Sequence, residues 1–438
     1  MRKVAALPVD ALFPAHGVFV LENGGDHIQT ALAKIENIRE GKIPLIIDVK
    51  TLAQNLNSQI VKWRRRIHQN PELGSQTPQT EDFIVETLKK IGADNIETGL
   101  ADHGVVALIE GRNPGKILGI RADIDALNIK EETGLSFAST NNFMHACGHD
   151  AHTAMLLGAG ALLVQLKDHL PGSVKLIFQP AEENGTGARA MIEAGVLDNP
   201  KVDAIIGLHT GNFWPEVQSG EIGYRFGSMM AATDWFSVTF HGKSGHAAAP
   251  HLSVDPISIA CHAVALLQTI VSRETNPLDS ALISVCTIKG GTAKNVIAPN
   301  CVIEGTLRSL TPEGRRNIQE RFTKICEETA VTLKGSADVT IIEAPPALIN
   351  DPIMTEKLRA AAALIVGEEH VREIHTPVMT GEDIAFYFEK VPGTFFFHPS
   401  TYGDKRDYPH HHSKFDINED VLWIGTATFV QFALTWQQ

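Results

Sequence analysis

Side chains that bind metal ions are concentrated in segment 145–152 of the sequence, HACGHDAH. Cys147 and His149 stand two positions apart, just before a run of small apolar residues with the pattern of a helix. Both could therefore face one ion from a loop. A single histidine in such a loop is more often an ordinary polar residue, so the segment predicts a metal site only if other ligands join it.

Three further clusters of ligand-type residues occur later in the chain. Their sequences are QPAEENGTG (179–187), GLHTGN (207–212) and YPHHHSKFD (408–416). Each cluster ends or follows a predicted strand, and α/β proteins gather their ligand-binding loops at such strand ends. Together the four clusters supply Cys, His and Glu, which zinc favours, although Mn²⁺ or Co²⁺ could occupy a mixed site. Their common placement favours a metal centre.

The adjacent carboxylates Glu182 and Glu183 indicate a division of roles. Neighbouring side chains on an extended segment point in opposite directions, so one glutamate can bind metal while the other faces the substrate. Hydrolysis at a metal site needs both a ligand and a general base that takes a proton from water. Glutamate pairs are usually solvated, but this pair follows KLIFQPA, which has the pattern of a buried strand.

Cys147 also permits a different hypothesis, in which its thiol is the nucleophile and His149 or His145 is the base. A thiol hydrolase of this kind would give no role to the glutamate pair or to the histidines at 209 and 410–412. The metal hypothesis is therefore favoured.

The segments around these clusters alternate between strand and helix patterns, as in a layered α/β sheet. Strands are predicted at 104–111, 116–127, 173–180, 204–209 and 393–399, and helices at 51–69, 151–166, 187–195, 354–367, 381–391 and 418–436. Between 232 and 344 the order changes to β-α-β-β-α-β, which is typical of a ferredoxin-like unit. Thr311 followed by Pro312 marks the start of its second helix.

This pattern predicts a catalytic α/β domain interrupted by an inserted unit. The predicted divisions are an N-terminal segment of unknown role (1–50), the first part of the catalytic domain (51–231), the insert (232–344) and the second part of the catalytic domain (345–438).

The composition and net charge of the chain limit which classes of binding partner are expected. The chain has 438 residues, 43% hydrophobic residues and a formal net charge of −13, which argues against binding to nucleic acid or to an anionic membrane. Its five cysteines form no C-x-x-C pair, which suits a reducing compartment and predicts a cytoplasmic protein. We expect neither a signal peptide nor a membrane-spanning apolar run.

Several motifs, in the same order, resemble those of a known family. They are MHACGHDAHTAMLLGAG, QPAEENGTGARAMIEAGVL, GLHTG, GKSGHAAAPHLSVDPI, GGTAKNVIAPNCVIEGTLRSL and TGEDIAFYFEKVPGTFFFHPS. From about Leu52 onward the chain is similar to metal-dependent amidohydrolases of the hippurate hydrolase, N-acyl-amino-acid amidohydrolase and auxin-conjugate hydrolase type, relatives of zinc carboxypeptidases and aminoacylases. The resemblance implies two divalent metal ions per subunit (Zn or Mn, with Co or Ni also possible) and a lid domain that forms a homodimer.

The resemblance also implies roles for individual residues. The implied metal ligands are Cys147, His149, Glu183, His209 and His411, the last chosen because it stands four positions before Phe415, with His410 and His412 left open. Glu182 would be the general base and then the acid that protonates the leaving amine. His246 would reach the active site of the dimer partner to stabilise the oxyanion, and Asn295 and Arg308 would hold the free carboxylate of the substrate.

Asp123 is harder to assign. Arg121 stands where related carboxypeptidases have a metal-binding histidine, and Asp123 where they have the aspartate that orients it. Asp123 is therefore expected either to orient a catalytic group or to make structural hydrogen bonds.

The implied reaction is hydrolysis of the amide bond of an N-acyl amino acid by a hydroxide that bridges the metals. A carboxypeptidase or dipeptidase with the same centre is the alternative enzyme. A catalytically silent binding or dimerisation relative is a third hypothesis, disfavoured by the complete set of Glu182 and ligands.

Overall fold

The computed structural model describes residues 47–112 and 115–437. Most of the predicted N-terminal segment 1–50 therefore lies outside the described residues. The described helices are α1 (Val49–His68), α2 (Pro78–Ile91), α3 (His149–Gln165), α4 (Gly187–Glu193), α5 (Pro256–Thr269), α6 (Pro312–Thr332), α7 (Pro352–Val366), α8 (Ala385–Phe388) and α9 (Leu422–Thr435).

The strands of the described ranges build a larger and a smaller sheet and two short ribbons. They are β1 (Ile96–Leu100), β2 (Gly104–Ile109), β3 (Ile117–Asp123), β4 (Ser173–Gln179), β5 (Ala204–Gly211), β6 (Ile222–Tyr224), β7 (Gly227–Met230), β8 (Ala232–His241), β9 (Gly245–His246), β10 (Ala281–Gly290), β11 (Val296–Ile297), β12 (Asn300–Ser309), β13 (Ser336–Glu343), β14 (Leu348–Asn350), β15 (Val371–Glu373) and β16 (Gly393–Pro399).

The larger sheet has the order β1-β2-β4-β3-β5-β16-β6-β15. Its central strands β4, β3, β5 and β16 are parallel, so their carboxyl ends meet at one edge. Asp123 at the end of β3 lies opposite Gln179 at the end of β4, and His209 of β5 lies opposite Phe397 of β16. Buried cores on both faces of the sheet confirm the predicted layered α/β architecture.

Helix α3 is the central helix on one face of the larger sheet, and residues 149–163 are buried throughout. Its small residues explain this close packing. A Cβ added to Gly158 would lie 2.9 Å from Thr426 Oγ1 and 3.0 Å from the Ile60 side chain. The helix is thus fixed between α1 and α9, and His149 at its first position is fixed with it.

The smaller sheet has the order β10-β12-β8-β13, with every pair antiparallel. With α5 and α6 it has the predicted β-α-β-β-α-β order. The hydroxyl of Thr311 accepts a hydrogen bond from the Gly314 N–H at 3.0 Å, which confirms the predicted start of α6. The insert, predicted at 232–344, is thus formed by residues 232–343, after which the chain returns to the larger sheet with β15 and β16.

Three expectations from the sequence need correction. Helix α2 was not predicted, and the expected helix at 381–391 is only the four-residue α8. The chain was also expected to lack a segment of membrane-spanning length. The helical segment Pro256–Glu274 is long and apolar enough to span a membrane by length and composition alone, and 33% of its apolar stretch is buried inside the protein. Its buried residues, including Ile259 and Leu267, belong to the core of the insert.

Candidate metal centre

Cys147 and His149 lie at the carboxyl edge of the larger sheet, on either side of Gly148. Gly148 has a left-handed backbone (φ 91°), and a Cβ there would lie 2.9 Å from the methyl carbon of Thr210. The residue between the two ligand-type side chains therefore has to be small. This turn delivers the buried Cys147 thiol and the His149 imidazole to the same space.

His149 has one ring nitrogen fixed and the other unpaired. Nδ1 hydrogen-bonds the backbone oxygen of Asp125 at 3.0 Å. Nε2 is buried without a hydrogen-bond partner among the described residues, 3.9 Å from Glu182 Oε2 and 3.8 Å from Glu183 Oε1. An imidazole held through one nitrogen, with the other facing carboxylates, has the arrangement of a metal ligand.

The glutamate pair is positioned by its backbone. Ala181 has a positive φ of 58°, and the carboxylate of Asp125 accepts the N–H of Glu182 at 3.1 Å and that of Glu183 at 3.2 Å. Glu183 Oε1 is buried without a hydrogen bond in the described part of the chain, and it lies 3.4 Å from His411 Nε2. Both carboxylates approach His149 Nε2, at 3.9 and 3.8 Å, and they lie in a turn rather than on the extended segment expected from the sequence, so the division of roles between them stays a prediction.

His209 completes this side of the cluster. Its Nδ1 lies 2.7 Å from the backbone oxygen of Thr210, which leaves Nε2 directed at Cys147 Sγ, 3.5 Å away. Cys147 can group its ligand atom with those of His149 and His209, or with those of Glu183 and His411. These two groups of possible ligands overlap at the Cys147 thiol, an arrangement that is consistent with two metal ions bound side by side.

The three consecutive histidines have different surroundings. His411 has a positive φ of 63° and is the one whose Nε2 approaches Glu183. His410 stacks on Phe213 at 4.0 Å and its Nε2 hydrogen-bonds the Thr210 backbone oxygen. The His412 ring stacks on Tyr408 and accepts the N–H of Lys414. The geometry therefore favours His411.

His152 and Asp125 belong to the site, although the sequence analysis assigned them no role. His152 Nδ1 hydrogen-bonds Asp123 Oδ1 at 2.6 Å, and its Nε2 accepts the Thr210 N–H at 3.0 Å. Both ring nitrogens of His152 are thus used within the protein. Its spacing of three from His149 on one helix, and the alternation of Asp123 with Asp125, were the available signals.

Arg121 is buried at the centre of an ionic network behind the site. Its guanidinium contacts Asp123 Oδ2 at 2.8 Å, Glu382 Oε1 at 3.1 Å and Asp383 Oδ1 at 2.6 Å. The Asp383 N–H also donates to Glu182 Oε1 at 3.4 Å. At the position where related carboxypeptidases have a metal-binding histidine, this chain has Arg121, as the sequence indicated, and its guanidinium holds three acidic residues together.

The electrostatics of the cluster fit bound cations. Burial raises the pKa of Glu182 well above its ordinary value, and Glu382 and Glu183 raise it further. Burial also raises the pKa of the Cys147 thiol, with Glu183 adding to the shift. Facing anionic groups in a buried space are costly unless a cation lies among them. A thiol with a raised pKa also counts against the cysteine nucleophile hypothesis.

A cavity of about 510 Å³ opens above the cluster. One side, the metal-site wall, carries Cys147, Glu182, Glu183, His209 and His411. The opposite side, the insert wall, carries Thr233, Trp235 and Arg308. The cavity therefore lies between the larger sheet and the insert.

The three predicted residues of the insert occupy different places. Arg308 lines the cavity, and its Nη1 donates to Thr233 Oγ1 at 2.7 Å and to the Met379 backbone oxygen at 3.2 Å. His246 and Asn295 do not line the cavity in the described chain. Instead His246 lies in β9 and Asn295 directly before β11 of the short ribbon, where both are exposed.

Comparison with known proteins identifies the family. The model of peptidase family M20/M25/M40 matches residues 119–435. The chain belongs to this peptidase family. It is 42% identical over 372 residues to an N-acetyl-L-cysteine deacetylase of Bacillus subtilis (strain 168), with 84% of this chain and 85% of that protein covered. It is 37% identical to thermostable carboxypeptidase 1 of Saccharolobus solfataricus, over 89% of this chain and 98% of that protein.

Solved structures of M20 proteins agree. A dinuclear metal-binding peptidase of this family from Bacillus subtilis superposes with a TM-score of 0.75 at 33% identity, covering 87% of this chain and 98% of its own. The predicted family resemblance and fold class are confirmed. So is the prediction of a metal-dependent amidohydrolase, and the hypothesis of a catalytically silent relative is not supported.

Proposed function

We propose that the protein hydrolyses the amide bond between an acyl group and an amino acid with a free carboxylate, at a centre of two divalent metal ions. The observation that carries this proposal is the cavity itself. Ligand-type side chains and Glu182 form one wall, and Arg308 stands on the other. The N-acetyl-L-cysteine deacetylase relative supports the substrate class.

The proposed metal ligands lie together at one edge of the sheet, where Cys147, His149 and His209 are buried, Glu183 is partly buried and His411 is exposed. They are Cys147, His149, Glu183, His209 and His411. The unpaired His149 Nε2 and Glu183 Oε1 support the assignment, since both are buried polar atoms that lack a partner in the described chain. Zinc or manganese suits a mixed set of thiolate, imidazole and carboxylate, and cobalt or nickel is possible. When bound, the ions would polarise the substrate carbonyl and acidify the attacking water.

Glu182 is the proposed general base. Its carboxylate faces the cavity beside His149, where burial raises its pKa, as suits a group that takes a proton and returns it. It would take the proton from the attacking water and pass it to the leaving nitrogen after the C–N bond breaks. Asp123 acts behind this step, because it holds His152 and Arg121 in place.

Arg308 is the proposed partner of the substrate carboxylate. Among the described residues that line the cavity, it alone carries a fixed positive charge. Its hydrogen bonds in the described chain both come from Nη1, which leaves the Nε–Nη2 edge to receive a carboxylate in two parallel hydrogen bonds.

His246 and Asn295 are proposed to act in a homodimer, His246 on the oxyanion and Asn295 on the carboxylate of the partner's substrate. Their exposure away from the cavity of their own chain supports a role elsewhere. The insert also presents an edge strand, β10, beside exposed apolar residues of α5 such as Ile257 and Leu266. Such an edge and face favour pairing with a second copy. We further propose that the enzyme acts in the cytoplasm.

A carboxypeptidase or dipeptidase would use the same chemistry, so only the preferred substrate distinguishes these activities from hydrolysis of N-acyl amino acids. The test is turnover of N-acetyl, N-benzoyl and indoleacetyl amino acids beside matched dipeptides, with metal analysis of the purified protein. We expect hydrolysis of N-acyl amino acids, about two metal ions per chain, and inactivation by a chelator. Faster turnover of dipeptides would favour the alternative. Full activity after verified metal removal would contradict the proposal.

A further inference from the structure

Trp235 is a large apolar side chain on the insert wall that stays half exposed, with 50% of its surface accessible. Tryptophan usually buries most of its area, and an exposed one in a cavity is available to a ligand. We propose that Trp235 contacts the side chain of the leaving amino acid, so that the enzyme prefers N-acyl derivatives of large apolar amino acids such as leucine and phenylalanine. This inference rests on the proposed function.

The register of the smaller sheet sets where Trp235 points. On β8, Phe236 and Val238 face the helices in the core of the insert, so Trp235 projects from the opposite, open face. Asp234 is turned to the helix side, where it pairs with Arg315 of α6. The substrate would therefore meet the indole and not the neighbouring carboxylate.

Arg308 projects from the same open face. On β12, Leu307 belongs to the core of the insert, so Arg308 points the other way. Arg308 lies opposite Thr233, two positions from Trp235 on β8. Diagonal neighbours of this kind are roughly 7–8 Å apart, within reach of long side chains.

This spacing selects one part of the substrate. The carboxylate and the side chain of an amino acid leave the same α-carbon, so a carboxylate held by Arg308 places the side chain beside Trp235. The acyl group lies across the scissile amide, toward the metal-site wall. Met230, Ala344 and Pro345 also line the cavity, and they supply apolar contacts to the same pocket.

The test is a series of N-acetyl amino acids that differ only in side chain: glycine, alanine, leucine and phenylalanine. For the wild type we expect kcat/KM to rise about tenfold or more from alanine to leucine and phenylalanine. Trp235→Ala should flatten this series with little effect on the glycine substrate, and Trp235→Phe should keep part of it. Ile342→Ala is the matched control. Ile342 of β13 lies opposite Trp235 of β8 and is 61% exposed, but it does not line the cavity. It should leave the series unchanged.

Three results would overturn the inference while leaving the proposed function intact. The first is a wild-type kcat/KM that is the same for all four amino acids. The second is an equal loss of kcat/KM on all four substrates in Trp235→Ala. The third is a Trp235→Ala variant whose kcat/KM depends differently on the acyl group but keeps the wild-type preference among amino acids.

Binding of the free product amino acids to the metal-loaded wild type gives a readout independent of turnover and of variant folding. Leucine and phenylalanine should bind about tenfold tighter than alanine, and equal binding would contradict the role of Trp235. If no N-acyl amino acid is hydrolysed, the proposed function fails, and the same binding comparison, repeated with Trp235→Ala, still decides whether Trp235 selects apolar side chains.

Discussion

Most of the metal-site wall of the cavity is buried and hydrogen-bonded from behind, with His411 as its exposed member, whereas on the insert wall the Trp235 side chain is half exposed and Arg308 is held through one nitrogen. His149 and His209 are each fixed through Nδ1 by a backbone oxygen. On the insert wall, Arg308 is held only through Nη1, and half the surface of Trp235 is accessible. The difference supports a metal-site wall that is pre-organised for chemistry and, on our proposal, an insert wall that selects the substrate.

The largest expected effect on activity comes from substituting the two glutamates of the metal-site wall one at a time. Glu182→Gln keeps the size of the side chain but removes the base, so we expect kcat to fall about 10²–10⁴-fold while the metal content stays at the wild-type level. Glu183→Gln should lose both activity and metal. The measurement is steady-state kinetics with metal analysis of both variants. Loss of metal from Glu182→Gln would contradict the division of roles.

The ionic network behind the metal-site wall should set the stability of the fold. Arg121→Met removes the cation shared by Asp123, Glu382 and Asp383, so we expect the free energy of unfolding to fall by about 3–5 kcal/mol. Urea unfolding at fixed metal concentration measures this loss.

Arg372→Met is the matched control for that change. Arg372 is half exposed and pairs with Glu221 at 2.7 Å, so its loss should cost at most about 1 kcal/mol. Equal losses in the free energy of unfolding in the two variants would show that the buried network contributes no more to stability than an exposed ion pair.

Arg308 on the insert wall should instead affect binding. Hydrogen bonds to a charged group contribute about 1.5–3 kcal/mol, so Arg308→Met should lower kcat/KM roughly 10- to 150-fold, mainly through KM. The control is a substrate whose carboxylate is replaced by an amide, on which wild type and variant should differ little. A similar loss on both substrates would assign Arg308 a structural role.

Much of this architecture could be predicted because its signals are local. The clusters at 179–187 and 207–212 end or directly follow segments with the pattern of a buried strand, and the carboxyl ends of parallel strands meet at one edge. The glutamate pair after KLIFQPA is the clearest example, since it lies at the end of β4 beside His149. Thr311 and Pro312 likewise marked the start of α6 from sequence alone.

What could not be predicted depends on contacts between distant segments. The resemblance pointed to His411 but left His410 and His412 open, because three identical neighbours differ only through their folded partners, such as the approach of His411 to Glu183. The Arg121 network joins β3 to Asp383, which is 262 positions further along the chain. The apolar pattern that indicates a strand gives no information on which distant carboxylate a buried arginine will meet.

The smallest expected effect tests whether the insert completes the active site of a second subunit. His246 does not line the cavity of its own chain. In a mixture of inactive Glu182→Gln and inactive His246→Ala chains, half of the dimers are mixed, and one site in each has an intact Glu182 and an intact His246 from its partner. We therefore expect recovery of about a quarter of the wild-type activity after subunit exchange. No recovery after exchange has been verified would confine His246 to its own chain, and the insert wall would then act only through Arg308 and Trp235.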